Sequence, residues 1–292
     1  MRDIHILDFD GSVTAQKDFI GRFQSRIKIR NLRKYAHAAR LWTSPNKFAE
    51  ICQAEFSALS AGFALIGSGD FHHFSLGLIA RHTELLTVVL FDNHPDWIRP
   101  PHQYHCGTWV YSLARLPHVE RVIIVGLESG DIEGKQFLNG DVESFHNQKV
   151  ILLPYRTVNA EIAKDDYAQL LSYLDQNLDY GIAEIMEYIK TKHVYISVDK
   201  DCLRPEDAYT NWEQGTMPLN VVTKAIAAIA NKFEIVGADS VGDYSAPKFR
   251  SPIKWLGSWL DRKIHRTPSD QTLLKSNELA NIALLKALDG SL

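Results

Sequence analysis

Long apolar runs are missing from this sequence. No stretch approaches the roughly 18 consecutive apolar residues of a membrane-spanning helix, and the opening "MRDIHILDFD" lacks the apolar core of a secretion signal. A cytoplasmic protein with no membrane partner is the expectation. Cysteine is scarce: Cys52, Cys106 and Cys202 are an odd number, widely spaced and in no C-x-x-C pair, which argues against a disulfide framework and a thiolate zinc site. Charge of one sign is lacking too. With 32 Lys and Arg against 35 Asp and Glu, and no basic stripe, nucleic acid is not an expected partner. No repeat, low-complexity tract or Gly/Ser linker divides the chain, so a single domain over residues 1–292 is expected.

Seven short runs rich in Val and Ile read as buried strands: "IHILDF", "GFALIGS", "LLTVVLFD", "ERVIIVGL", "KVILLPY", "HVYISVD" and "FEIVGADS". Residues 166–190 and 216–231 carry apolar residues at helical spacing, and "SNELANIALLKALDG" reads as a C-terminal helix ended by Gly290. The stretch from Ala15 to Leu59 reads as helical with breaks at Ser44 and Pro45. Strand alternating with helix predicts a three-layer α/β fold with a mostly parallel sheet covered on both faces.

In such sheets ligands gather at the carboxyl ends of strands. Three runs here end in the same chemistry: "GSGDFHHFS" from Gly67, "DNHPDW" from Asp92 and "DKDC" from Asp199. Asp92 and His94, like Asp199 and Asp201, are two residues apart, which on extended chain points both side chains to one side. One such pair in a loop is ordinarily a solvated turn. Three clusters, each just past a buried strand, are hard to explain as independent turns. Four aspartates packed at one sheet edge need counter-charge, which two divalent cations would supply. Carboxylates with imidazole and no thiolate suit manganese and can also hold iron, cobalt or zinc. Two such ions can share a hydroxide made nucleophilic near neutral pH, so hydrolysis of a small-molecule substrate is the expected reaction class.

"DNHPD" resembles the Asp-Ala-His-x-Asp motif of the arginase, agmatinase and formimidoylglutamase superfamily, the ureohydrolases. "SVDKDCLRP" is similar to that family's Ser-x-Asp-x-Asp-x-x-Asp-Pro, and "GSGDFHH" to its Gly-Gly-Asp-His. The resemblance runs in matching order from about Gly62 to Pro247. It implies an eight-stranded parallel sheet and two manganese ions per chain, bridged by Asp92 and Asp199. Asp96 and one histidine of the "HH" pair would complete one coordination sphere, and His94 and Asp201 the other. Counting back from Gly77 points to His72, with His73 as the alternative. "HCGTW" resembles the family's His-Gly loop and makes His105 a general acid or base, with Asp96 as the second catalytic residue; an ordinary loop histidine is the competing reading of His105.

The resemblance breaks in "GADSVGDYSAP". Gly242 stands where the family has the glutamate that holds the substrate's guanidinium or amidine, and Asp243, one residue later, is the candidate replacement. Arg204 stands for the family's second Asp before proline, and Met217 is inserted in the Gly-Thr-Pro stretch. The expected activity is therefore hydrolysis of a linear C–N bond in an amidine, guanidine or amide other than arginine. The alternatives are a one-zinc amide hydrolase of the deacetylase type and a catalytically silent metal-binding protein. Whether the chain forms a homo-oligomer is left open. "DFDGS", residues 8–12, also resembles the opening motif of haloacid dehalogenase phosphatases, but that reading leaves "DNHPD" and "SVDKDC" without a task. Asp8 and Asp10 are expected to cap a turn through Gly11.

Overall fold

The computed structural model describes residues 2–100, 103–156, 174–246, 248–261 and 270–290. Its strands are β1 (Asp3–Asp8), β2 (Ile27–Asn31), β3 (Trp42–Thr43), β4 (Gly62–Gly67), β5 (Leu86–Phe91), β6 (Tyr104–His105), β7 (Val119–Leu127), β8 (Val150–Pro154), β9 (His193–Asp199) and β10 (Glu234–Val241). All seven expected runs are strands. Together with β2 they form one all-parallel sheet in the order β2-β1-β4-β10-β9-β5-β7-β8, while β3 and β6 pair antiparallel beside it.

Residues 15–59 differ from the helical expectation. They hold a helix at Lys17–Phe23, the eighth strand β2, the four-residue helix α1 (Ala36–Ala39), and a helix at Pro45–Ile51 that starts at the expected Ser44–Pro45 break. The reason lies in β2's position. It is an edge strand held by pairing with β1 alone, Ile4 opposite Ile27, and Lys28, Ile29 and Asn31 are exposed. No apolar run is needed there, so none marks it.

Further helices are α2 (Leu178–Tyr188), α3 (Leu219–Lys232), α4 (Pro252–Asp261) and α5 (Asp270–Leu288). Within the expected helix at 166–190, residues 166–173 lie outside the described residues, and the helix begins only at Leu178, where the Asn177 side chain accepts from the Tyr180 amide. Pro218 is the extended residue just before α3, which starts three residues later than expected because a residue that precedes proline, here Met217, is disfavoured in the helical region.

Alternation along the buried strands splits the core into two layers. Ile4, Ile6, Phe63, Leu65, Val89, Phe91, Val194 and Ile196 face α2, α3 and α5. Leu7, Ala64, Ile66, Val88, Leu90, Val122 and Ile124 face the opposite layer, with Phe48, Phe74, Trp109 and Leu113. Both faces are covered, as the unbroken apolar strands require. The chain passes from β4 to β5 across a gap later filled by β9 and β10, so the carboxyl ends of four central strands meet at one edge.

Candidate functional site

At that edge β4 ends at Gly67, and the Ser68 side chain accepts from the Asp70 amide, starting a turn that carries His72 inward. After β5, Asp92, His94 and Asp96 follow on a turn in which Asp96 takes φ 48°, a left-handed conformation aspartate tolerates better than most residues. β9 ends in Asp199, whose side chain accepts from the Asp201 amide at 3.0 Å and turns the chain so that both carboxylates stay at the edge. Ligand-type atoms of His72, Asp92 and Asp199 lie within 4.8 Å of one another, as do those of Asp92, His94 and Asp201. Asp92 is common to both groups.

His72 shows what this geometry asks for. Its Nε2 lies 3.2 Å from Ser197 Oγ, and Ser197 donates to Asp239 at 2.8 Å, so the imidazole proton sits on Nε2. The other nitrogen, Nδ1, faces carboxylate oxygens of Asp92 at 3.4 Å, Asp96 at 3.2 Å and Asp199 at 3.4 Å, near enough for charge to act but none in hydrogen-bond geometry. Asp92 Oδ2 is likewise buried, with no hydrogen-bond partner among the described residues. A lone pair surrounded by three carboxylates is repulsive unless a cation or a proton lies between them. On the second group, His94 Nδ1 is 2.9 Å from Asp201 and 3.8 Å from Asp92.

The titration behaviour of the isolated chain carries the same signature. Burial, then Asp201, Asp96 and Asp199, push Asp92 well above the usual carboxylate range. Burial and Asp201 lift Asp199 to about 7. Burial lowers the pKa of His94, but Asp201 outweighs it and raises the ring to about 10; for His72 burial is likewise overcome, by Asp96 and Asp199. Protons therefore occupy positions that divalent cations would take, and the donor set of carboxylates and imidazoles without sulfur fits such ions. Two glycines make room: a Cβ at Gly69 would lie 2.9 Å from Asp199 Oδ2, and one at Gly242 would lie 2.5 Å from Oδ1.

His73 turns elsewhere. Its Nε2 is 2.8 Å from Thr43 Oγ1, its ring packs on Phe74, and burial holds its pKa well below the usual value. His105 lies beyond the cluster and lines the same cavity, of about 430 Å³, as Asp92, His94, Asp96, Asp199 and Asp201. Its Nδ1 accepts from the Gly107 amide at 2.9 Å, which places the proton of the neutral ring on Nε2. Asp131, Trp212 and Glu213 also line this cavity and were not singled out from the sequence. Burial, with Asp96 and Glu213 nearby, raises the Asp131 pKa despite His94.

Asp243 is not among the residues lining that cavity. It is buried in an ion pair with Lys200 at 2.8 Å, accepts from Gln16 at 2.7 Å and Asn281 at 3.3 Å, and borders a second cavity of about 460 Å³. Asp8 accepts from the Gly11 amide at 2.8 Å and pairs with Arg33, and Asp10 accepts from Ser12. Asp239, buried behind the cluster, accepts from Ser75, Ser197 and Tyr195.

Among solved structures, proclavaminate amidino hydrolase from Streptomyces clavuligerus superposes with a TM-score of 0.60 at 15% identity, covering 100% of this chain and 93% of that one. Arginase from Bacillus cereus gives 0.56 at 16%, covering 97% and 98%. An uncharacterized protein of Thermotoga maritima is 24% identical over 279 residues, 92% of this chain and 95% of its own length. The profile described as "Arginase family" matches residues 37–242, more than half of the sequence, and the chain belongs to that family.

Proposed function

We propose that this protein is a metal-dependent hydrolase of linear C–N bonds, holding two divalent ions, manganese foremost, and acting on an amidine, guanidine or amide other than arginine. The observation that carries the reading is the His72 lone pair aimed at three carboxylates. His72, Asp92, Asp96 and Asp199 would hold one ion, and Asp92, His94, Asp199 and Asp201 the other. Bound there, divalent ions neutralise the carboxylates and activate water for attack.

The chain supplies orientation. Ser197 and Asp239 keep the His72 lone pair pointed at the cluster, and Trp109 Nε1 holds Asp96 Oδ2 at 2.8 Å. Asp96's catalytic part is therefore that of an oriented ligand. With Nδ1 engaged by Gly107, His105 offers a proton from Nε2 and acts as a donor to charge developing on the substrate. It serves as a base only after that contact is released. Asp131 and Glu213 in the cavity favour a substrate with a cationic head group. Gly242 leaves no side chain beside Asp199, and Lys200 neutralises Asp243, so the guanidinium-holding carboxylate expected in the family has no counterpart there.

Metal analysis tests the reading. Protein prepared with manganese should hold close to two ions per chain, and Asp199→Ala, which removes a ligand common to both, should hold fewer than one. Full metal content in that variant would rule the assignment out. A single tightly held ion in the native protein would favour the one-metal amide hydrolase instead. A panel of amidines, guanidines and amides then tests turnover.

A further inference from the structure

We infer that Lys254, on α4, is the positioning residue that holds His105 in its donor form; the inference rests on the reading of His105 above. Lys254 is buried, and its Nζ donates its three protons to the carbonyls of Ala38 at 2.9 Å, Arg40 at 2.8 Å and Trp42 at 2.7 Å, with the His37 carbonyl sharing one of them at 3.3 Å. Four carbonyl oxygens converging on one point repel each other, and an ammonium is the group that reconciles them. The segment they belong to is not one the chain adopts readily. Leu41 takes φ 67°, in the left-handed region unfavourable to a leucine, and persists there because its neighbours are tied on every side.

Those ties lead to the cavity. Leu41 donates to the Asp70 carbonyl at 2.9 Å and accepts from the Cys106 amide at 3.0 Å. Trp42 pairs with His105 in the β3–β6 ribbon, and its ring stacks on the imidazole with centroids 5.9 Å apart and planes 23° from parallel. Lys254 Nζ stands 5.2 Å from the Trp42 ring on top of its carbonyl contacts. The wall against which His105 rests is thus held by one ammonium from a helix near the C-terminal end of the described chain. On that wall the Gly107 amide, donating to Nδ1, sets the tautomer of the His105 ring.

The test uses the full chain loaded with diamagnetic zinc and labelled with 15N-histidine, the His105 signals being assigned with His105→Gln. The native protein should show His105 protonated at Nε2 alone. Lys254→Met should give a mixture of tautomers and speed exchange of the Cys106 amide on the order of tenfold, while amides in β5 and β9 keep their protection. Should Lys254→Met fail to fold, Lys254→Arg carries the test: its charge is kept but its planar head group cannot meet four convergent carbonyls, and the same changes should appear, smaller. Native His105 signals and native Cys106 exchange in either folded variant would overturn the inference. On any substrate turned over, Lys254→Met should lower kcat with KM kept, and add nothing in the His105→Gln background. If His105→Gln leaves turnover intact, the catalytic reading of His105 fails, while the tautomer measurement still decides the part played by Lys254.

Discussion

Two adjacent histidines and one glycine test the site most sharply. His72→Ala should reduce bound metal by at least one ion, since Nδ1 faces three carboxylates and has no hydrogen-bond partner among the described residues. His73→Ala should leave the stoichiometry unchanged and cost stability, because that ring is buried and bonded to Thr43. Equal metal loss in both variants, measured on folded protein, would contradict the orientation described. Gly242→Ala combines a φ of 86° with a Cβ only 2.5 Å from Asp199, and should destabilise the protein by about 1–3 kcal/mol and weaken metal binding. A native melting temperature with native metal affinity would count against this crowding. The Asp-x-His and Asp-x-Asp pairs were legible in the sequence because each is local to one strand end. Asp131, Trp212 and Glu213 carried no such signal, since their loops meet the cluster only once the sheet has formed.

Between elements, the Lys200–Asp243 pair ties the ends of β9 and β10 to α5 through Asn281. Removing one partner of a buried ion pair strands the other, so Asp243→Asn should cost about 3–5 kcal/mol in urea unfolding. On any substrate found, KM should stay within a few-fold of native. A large KM increase in a stable variant would restore Asp243 as a substrate residue. Seven strands were legible because burial on both faces demands unbroken apolar runs, as in "LTVVLF" and "HVYISVD". β2 was not legible because "IKIRN" lies at the edge, where pairing with β1 is enough and the side chains are free to be polar.

For the molecule as a whole, metal bound at the cluster would compete with protons. The unfolded carboxyl of Asp199 titrates near 4 and the folded one at about 7, so without metal the folded state binds the extra proton and this contribution to stability declines as pH rises from about 4 to 7. His94, raised to about 10, adds stability below its unfolded value near 6.5 and loses it as pH climbs to about 10. Divalent ions act in the opposite sense, because they require the deprotonated ligands. The difference in melting temperature between metal-loaded and chelated protein should therefore widen from pH 5.5 to 8; with the ligands deprotonated, a hundredfold excess over Kd adds about 2.7 kcal/mol of stability for each ion bound. A pH-independent difference would argue that the cluster is not where the ions sit. No helix among the described residues is long and apolar enough to cross a membrane.

The place of β10 bears on how the protein is made. Two strands that carry the cluster, β4 and β9, do not touch each other; β10 lies between them, and it is the last strand of the sheet in chain order. A growing chain that has emerged only as far as α3 has His72 and Asp199 on opposite sides of a slot with no backbone in it. A chain that folds up to that point would present two open sheet edges, prone to joining other chains, until β10 enters. Capture of the ion that His72 would hold becomes a reporter of that last insertion: a chain stopped at Lys232 should associate with itself and hold at most the ion assigned to Asp92, His94, Asp199 and Asp201, whose strands β5 and β9 pair directly.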